Sequence, residues 1–210
     1  MPSRRLPAPP PGRPAPGRPR SPRARRAVLD AARALIEEQG FAAATIEAIA
    51  ARAGVAKTTV YRSWSNRATL LVDLLVEVAT EAVPPPGNDA GDPMRTLRTE
   101  LRRGAVALNG LTGRLLTSLL GEAQEDPEVR TALLEGFFYR RREASVAVVR
   151  RAQALGQIRS DVSASLVTDL LYGPLFYRTF VVQDPVSEGV VKQMIQYVLD
   201  GLRPQDTRRK

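Results

Sequence analysis

The sequence predicts an all-α protein with a small N-terminal helical domain and a larger helical domain behind it. Apolar residues recur at intervals of three and four through most of the chain, which is the period of an amphipathic helix. Residues 45–71 hold two short helical patterns separated by Gly54, and the prolines at 84–86 separate this region from the helical patterns that follow. We therefore expect a helical domain over 22–82 and a second one over 92–203.

Composition excludes several classes of protein. The 210 residues suit one small and one medium domain, and 43% of them are hydrophobic, which is ordinary for a globular protein. The chain has no cysteine and no histidine, so a disulfide framework, a thiolate metal site and the commonest general base are all excluded. No nucleophile–base pair or glycine-rich phosphate loop is visible either. We expect no enzyme activity, no metal and no cofactor.

The charge favours a polyanionic partner. The formal net charge is +9 and the isoelectric point is about 10.7. Eight arginines and no acid lie in residues 1–26, so the remainder of the chain is nearly balanced.

The first segment, residues 1–21, is predicted to be a disordered tail. Nine prolines in residues 1–22 remove amide donors and forbid a continuous helix. One hypothesis is an arm that lies along the minor groove or the phosphates of DNA. Codon bias in a GC-rich gene would give the same composition, and both readings stay open. The arginines of such an arm are Arg13, Arg18, Arg20, Arg23, Arg25 and Arg26.

The stretch from residue 45 to residue 71 predicts two short helices joined by a glycine turn. Thr45 stands where an N-cap hydroxyl accepts from the first-turn amides, although it is equally suited to donate to a phosphate. Gly54 enters the left-handed conformation without a Cβ penalty, so one helix can end and another begin at a steep angle. The apolar face of the first helix consists of Ile46, Ile49, Ala50 and Ala53.

The second helix, about residues 56–64, is too polar to be buried by its own protein. Val60 is its single strongly apolar inward residue. A polar helix after a glycine turn is the arrangement that enters the major groove of double-stranded DNA. Arg67, in the first turn of the next helix, is expected to reach a backbone phosphate, and Trp64 is expected to pack beneath the domain rather than stack on DNA. The remaining candidates for DNA contact are Lys57, Thr58, Thr59, Tyr61 and Arg62.

These residues resemble the N-terminal domain of the TetR/AcrR family of bacterial transcriptional regulators. The resemblance implies a homodimer that binds a near-palindromic operator, usually as a repressor, and releases it when a small molecule enters the second domain. It also implies that Tyr61 contacts phosphate and that the helix over 68–83 transmits motion. The chain departs from the family pattern at Ala56 and Ser65. It matches at Thr45, Ile46, Ile49, Ala50, Ala53, Gly54, Val55, Val60, Tyr61, Trp64, Arg67 and Leu70.

The second domain begins at Asp92-Pro93, an N-terminal helix signal. Helical patterns follow over about 93–108, 111–124, 127–155, 163–182 and 187–202. The basic run at 140–142 is read as a solvated helix face, with a second nucleic-acid surface as the alternative.

Residues 163–182 have almost no polar stripe, so this helix must be covered on more than one side. Asp169, Arg178 and the Gly173-Pro174 break argue against a membrane span. We expect the helix and the last one to form a four-helix dimer interface with a second copy of the chain. The interface residues predicted are Val167, Leu171, Leu175, Arg178, Val191, Met194, Ile195 and Val198.

A pocket for an apolar or aromatic effector is expected in the second domain, with a closed core as the alternative. The residues predicted to line it are Leu101, Leu108, Leu116, Leu119, Phe137, Phe138, Leu170, Tyr172 and Phe176. The other function considered is a nonspecific architectural DNA-binding protein without an effector. A bacterial regulator of either kind would be cytoplasmic, and associated with the nucleoid when bound to DNA.

Overall fold

A computed structural model describes residues 22–85 and 91–204, so the predicted tail over 1–21 lies outside the described residues. Every regular element in the described part is helical, which confirms the all-α prediction. The α-helices are α1 Pro22–Gln39, α2 Ile46–Arg52, α3 Lys57–Tyr61, α4 Arg67–Ala82, α5 Pro93–Leu108, α6 Leu111–Glu125, α7 Pro127–Leu133, α8 Tyr139–Ala154, α9 Ala164–Phe176 and α10 Glu188–Gly201. A 3-10 turn spans Phe41–Ala43, and π-helical turns span Leu134–Phe138 and Tyr177–Val182.

The helix-turn-helix unit is α2, a glycine turn and α3. The hydroxyl of Thr45 accepts a 3.1 Å hydrogen bond from the Ala48 amide and so caps α2. Gly54 has a φ of +65°, the left-handed conformation that lets the chain turn toward α3. Ala56 provides no side-chain cap, so α3 begins without one and extends for only five residues.

Helix α4 is the structural centre of the molecule. An Asn66–Thr69 capping box starts it. Leu70, Leu71, Leu74 and Leu75 are all fully buried. They belong to a single apolar cluster that joins α1, α2 and α3 to α6 and α7. The first core therefore crosses the expected boundary between 82 and 92, and α1 to α4 do not form an isolated unit.

A second core holds the rest of the C-terminal domain together. It is built from the inner faces of α5, α8, α9 and α10 and includes Leu97, Leu101, Val149 and Ile195. Asn109 fastens the segment before α10 to the end of α5, because its side chain exchanges two 3.1 Å hydrogen bonds with the backbone of Val186.

Two of the predicted long helices change pitch in the middle. The pattern over 127–155 is one helical rod, but its turn at Leu134–Phe138 is π-helical. Gly136 lies in that turn, where a Cβ would meet the Val72 side chain at 2.9 Å, so α4 approaches the backbone closely. The pattern over 163–182 likewise widens into a π turn at Tyr177–Val182, after Pro174. Within residues 22–85 and 91–204, no helix has the length and apolar character needed to cross a membrane.

The α5–α6 junction generates a stability prediction. A Cβ at Gly113 would lie 1.8 Å from the carbonyl oxygen of Leu108, so Gly113→Ala must displace backbone. We expect it to lower the free energy of unfolding by about 1–3 kcal/mol, measured by urea denaturation.

Gly121→Ala in the same helix is the matched control, because nothing lies within 4 Å of its Cβ position. We expect this variant to be about 0.5–1 kcal/mol more stable than the wild type. Equal stability of the two variants would contradict the close approach of Gly113 to the backbone of Leu108.

Candidate DNA-binding surface and ligand cavity

Helix α3 presents its polar side chains outward. Val60 is fully buried and fixes the helix against the first core. Tyr61 is 51% exposed, and Lys57, Thr58 and Arg62 are exposed beside it. The structure thus brings four of the five predicted contact residues between 57 and 62 to the surface. The fifth, Thr59, is half-buried.

Lys57 is held by an acid of the preceding helix. Its Nζ donates a 2.8 Å hydrogen bond to Glu47 Oε1, and both side chains are more than half exposed. The hydrogen bond from Lys57 lowers the pKa of Glu47. An exposed pair of this kind contributes little to stability, so a phosphate can replace Glu47 at small cost.

Trp64 packs inside the domain, as the sequence suggested. It is 4% exposed, and its indole Nε1 donates a 2.7 Å hydrogen bond to Asp73 Oδ2. The same oxygen accepts a 2.9 Å bond from Arg25. This carboxylate joins α1, the end of the helix-turn-helix and α4.

Two arginines of the hypothetical arm have partners in the protein. Arg25 pairs with Asp73, and Arg26 pairs with Asp30 at 3.2 Å and with Glu77 at 3.4 Å. The arm hypothesis is therefore corrected for these two residues, because α1 continues through them and α4 supplies acids opposite. Arg13, Arg18 and Arg20 lie outside the described residues.

The structure also corrects the role expected of Arg67. Its Nε donates to Ala44 O at 2.9 Å and its Nη2 donates to Phe41 O at 2.8 Å. The guanidinium carbon lies 4.3 Å from the centre of the Phe41 ring. The remaining contact is a 2.8 Å ion pair between Nη1 and Glu122 of α6. The charge at the start of α4 is balanced from within the protein, so a phosphate is not needed to explain it.

A second contact joins the same two regions. The Ser65 hydroxyl donates a 2.9 Å hydrogen bond to Glu128 Oε1 in α7. Together with Arg67–Glu122 it ties the end of the helix-turn-helix to the α6–α7 corner. A third carboxylate at this corner, Asp126, caps α7.

A cavity of about 500 Å³ lies in the C-terminal domain. Its walls come from α4, α5, α8, α9 and the π turn before α8, and it is of the size that small-molecule sites have. Phe138 contacts Phe176 on one wall, with ring centres 5.9 Å apart. The predicted pocket residues that line it are Leu108, Phe137, Phe138, Tyr172 and Phe176.

Four predicted pocket residues lie elsewhere. Leu101, Leu116 and Leu119 are fully buried in the two packed cores, and Leu170 is exposed on the outer face of α9. Periodicity identified the apolar positions, but it does not distinguish a residue beside a cavity from one in solid packing.

The cavity has a polar wall that the sequence interpretation missed. Glu100 is 9% exposed and its Oε2 has no hydrogen-bond partner. Burial raises the pKa of Glu100, with partial opposition from Arg141 and from a hydrogen bond with Tyr172. Burial likewise raises the pKa of Tyr172 to about 12, and its hydroxyl lies 3.1 Å from Ser145 Oγ.

Arg141 completes this wall, so the interpretation of residues 140–142 as a solvated face is wrong for Arg141 and Arg142, although Arg140 is exposed. The Arg141 guanidinium donates to the carbonyls of Ala79 and Val83, at the end of α4, and burial lowers its pKa. Arg142 binds Asp169 at 2.7 Å. A signal was present in the sequence: Glu100 follows the inward Leu97 by three residues, and Arg141 follows the inward Phe137 by four.

Most of the predicted interface residues are part of the chain's own core. Val167, Leu171, Leu175, Val191 and Ile195 are buried within the single chain. This corrects their assignment, because the inner faces of α9 and α10 cover each other and α5. Arg178 forms an ion pair with Asp184, and Met194 and Val198 are half-buried. The exposed apolar side chains of this region are instead Leu166, Leu170, Tyr177, Val181, Val182 and Tyr197.

A short helix that keeps one valine inward and turns hydroxyls, a phenol and cations outward, behind a glycine turn, is the recognition element of helix-turn-helix DNA-binding proteins. The class defined by this fold and surface is a helix-turn-helix DNA-binding protein whose second domain encloses a cavity.

Comparison with known proteins narrows the class to a family. Residues 28–74 match the family described as bacterial regulatory proteins, tetR family, and residues 88–198 match the tetracyclin repressor-like C-terminal domain. The chain is 32% identical over 178 residues to the uncharacterized HTH-type transcriptional regulator YdeS of Bacillus subtilis, covering 85% of this chain and 89% of that one.

Solved structures support the same family. The TetR family transcription regulator SCO0332 is 32% identical, with a TM-score of 0.72 over 86% of this chain and 99% of that one. A TetR family repressor from Thermus thermophilus, FadR in complex with lauroyl-CoA, shares the fold at 19% identity, with a TM-score of 0.65 over 89% and 98% of the two chains. The chain belongs to the TetR family and is a DNA-binding transcriptional regulator. The regulators of this family are not enzymes, which confirms that expectation.

The position of Arg67 generates a prediction. Arg67→Ala removes two hydrogen bonds to backbone carbonyls and an ion pair, so we expect the free energy of unfolding to fall by about 1–3 kcal/mol. Arg62→Ala, which removes an exposed cation of the recognition region, should leave the urea midpoint unchanged and weaken binding to an operator fragment. If Arg67→Ala left the stability unchanged and lowered DNA affinity as much as Arg62→Ala does, Arg67 would be a DNA-contact residue and not a structural one.

Proposed function

We propose that this protein is a homodimeric, ligand-responsive repressor that binds a near-palindromic operator through α3 and releases it when an apolar or aromatic molecule occupies the cavity. The observation that carries the proposal is that α4 takes part in both sites. It begins at Arg67, beside the helix-turn-helix, and its far end supplies Val76, Ala79, Thr80 and Val83 to the cavity wall.

The DNA side of the proposal rests on the exposed face of α3. Thr58, Tyr61 and Arg62 offer a hydroxyl, a phenol and a guanidinium, which read base edges and bind phosphates. Lys57 can exchange Glu47 for a phosphate. Thr45 uses its oxygen as a cap acceptor and keeps its hydroxyl proton for a phosphate, so its two expected roles are compatible.

The dimer is supported by apolar surface that the chain leaves uncovered. Val181 is 68% exposed in the π turn after α9, and Tyr197 is 72% exposed on α10. Leu166 and Leu170 on α9 and Tyr177 in the π turn are exposed as well. Exposed apolar clusters of this kind mark protein–protein contacts. A second copy would bring the same face, which gives a symmetric interface and two recognition helices for two half-sites.

Release from DNA requires the ligand to bind one arrangement of the two DNA-binding domains (the heads) of the dimer more tightly than the other. A ligand in the cavity touches α4 and the π turn at Leu134–Phe138, which packs on α4 through Gly136. The ion pair of Arg67 with Glu122 and the hydrogen bond of Ser65 with Glu128 then connect the α6–α7 corner to the head. The complex of the Thermus thermophilus repressor with lauroyl-CoA supports a ligand-binding role for this fold, although that ligand belongs to that protein.

Specific operator binding is tested with the purified protein and a fragment of its own upstream DNA. We expect a preference of about 10³ or more over a scrambled fragment of equal length, at two subunits per site, measured by fluorescence anisotropy at two salt concentrations. Thr58→Ala should reduce that preference without changing stability. Equal binding to both fragments, falling steeply with salt, would favour the architectural alternative.

The dimer interface is tested with Val181→Asp. A carboxylate in the centre of a buried apolar contact should weaken self-association roughly 100-fold or more, measured by sedimentation velocity. Val106→Asp is the matched control, because Val106 is 74% exposed on α5, outside the two helical segments that carry the other exposed apolar residues of this region. Equal effects of the two substitutions would remove α9 and α10 as the interface.

A further inference from the structure

The polar wall of the cavity carries information about the ligand. Glu100, Arg141, Ser145 and Tyr172 all line the cavity, together with the rings of Phe137, Phe138 and Phe176. The guanidinium carbon of Arg141 lies 5.6 Å from the centre of the Phe137 ring, so the cation and the aromatic rings are adjacent. The chemistry of the ligand inferred from this wall rests on the proposed function, in which the cavity takes a small molecule.

Arg141 forms no ion pair within 4.0 Å with a carboxylate of residues 22–85 or 91–204. A guanidinium has five N–H donors. Two meet carbonyl oxygens, those of Ala79 at 3.5 Å and Val83 at 3.2 Å, and the other three meet no acceptor among the described residues. Its neighbour Arg142 differs, because the Asp169 carboxylate and the Ser165 hydroxyl, at 2.7–2.8 Å, satisfy it.

Glu100 does not supply the missing partner. It forms no ion pair with Arg141 within 4.0 Å, and no group in the described part of the chain forms a hydrogen bond with its Oε2. Burial raises the pKa of Glu100, while the charge of Arg141 and a hydrogen bond with Tyr172 partly oppose this shift. The lining then has three guanidinium groups, Arg140, Arg141 and Arg142, against two carboxyl groups, Glu100 and Asp169. This surplus attracts an anion and disfavours an ammonium group.

We infer that the cavity binds an amphipathic molecule with a single carboxylate, whose oxygens accept from the unused N–H groups of Arg141 while its apolar body lies against Phe137, Phe138 and Phe176. The planar fork of a guanidinium matches a carboxylate, and such charge-assisted hydrogen bonds are stronger than neutral ones. The rings at Phe138, Phe176 and Phe180 form a continuous series with centres 5.9 and 5.5 Å apart, which suits an aromatic or extended aliphatic body.

The same guanidinium holds the end of α4. The carbonyls of Ala79 and Val83 lie in the last turn and at the C-cap of that helix, where a cation is favourable. A carboxylate that accepts from the other N–H groups pulls the guanidinium toward the cavity and lengthens these two already long hydrogen bonds. Ligand binding therefore loosens the end of α4, the helix that begins at the DNA-binding domain. The ligand then has a different affinity for the two arrangements of the DNA-binding domains in the dimer.

The experiment uses three probes of equal size: phenylbutyrate, phenylbutylamine and phenylbutanol. Isothermal titration calorimetry measures their binding to the full-length wild type and to Arg141→Gln, Glu100→Gln and Arg102→Gln. We expect the wild type to bind phenylbutyrate at least about tenfold more tightly than the other two probes. Arg141→Gln should abolish that preference. Glu100→Gln, which imitates the uncharged acid, and Arg102→Gln, which changes an exposed arginine outside the cavity, should both retain it.

Arg141→Lys covers the case in which Arg141→Gln does not fold. It keeps the charge but loses the fork, so we expect a smaller carboxylate preference than in the wild type. Tighter binding of phenylbutylamine than phenylbutyrate, lost in Glu100→Gln, would overturn the inference. So would a wild type with no preference for phenylbutyrate, including one that binds none of the three probes.

Failure of this inference is distinguishable from failure of the proposed function, because the calorimetry contains no DNA. Carboxylate binding that leaves operator affinity unchanged would uphold the site and reject its role in release. Specific operator binding by a protein that prefers the amine would uphold the regulator and reject the carboxylate.

Discussion

The rest of the structure depends on the burial of α4 on two sides at once. Leu70, Leu71, Leu74 and Leu75 have no exposed surface, because the head covers one side of the helix and α6 with α7 covers the other. A helix between two well-packed surfaces cannot move against one of them without disturbing the other, because interiors are close-packed. Ligand cavity and DNA surface are in this way connected by one rigid element rather than by a flexible linker.

Each end of α4 is fastened by an arginine that serves as a cross-link rather than as a surface charge. At the start, Arg67 joins two head carbonyls and the Phe41 ring to Glu122 of α6. At the far end, Arg141 of α8 reaches the last carbonyls of the helix. Arginine suits both places, because one guanidinium bridges several acceptors with fixed geometry. The two arginines differ in their partners, since Arg67 forms an ion pair with a carboxylate and Arg141 forms none with the described residues.

Sequence periodicity was most informative where one feature decides the structure. Thr45, Gly54 and Val60 lie where a cap, a left-handed turn and an inward anchor are needed, and the structure places them so. The same reasoning was weaker for α9. Its apolar residues fall on both an inner and an outer face, and spacing along the chain does not say which face its own protein covers. Val167 and Leu171 are thus core residues, whereas Leu166 and Leu170 are exposed.

The sequence by itself determined the helical class and the helix-turn-helix, because caps, turns and helical period are local properties of the chain. Only the tertiary structure decided what lies opposite each side chain. It showed that Arg67 faces Glu122 across 55 positions of sequence and that Glu100 and Arg141 share the wall of a cavity. The physical reason is that burial and charge pairing depend on contacts between helices, and these contacts have no fixed spacing along the chain.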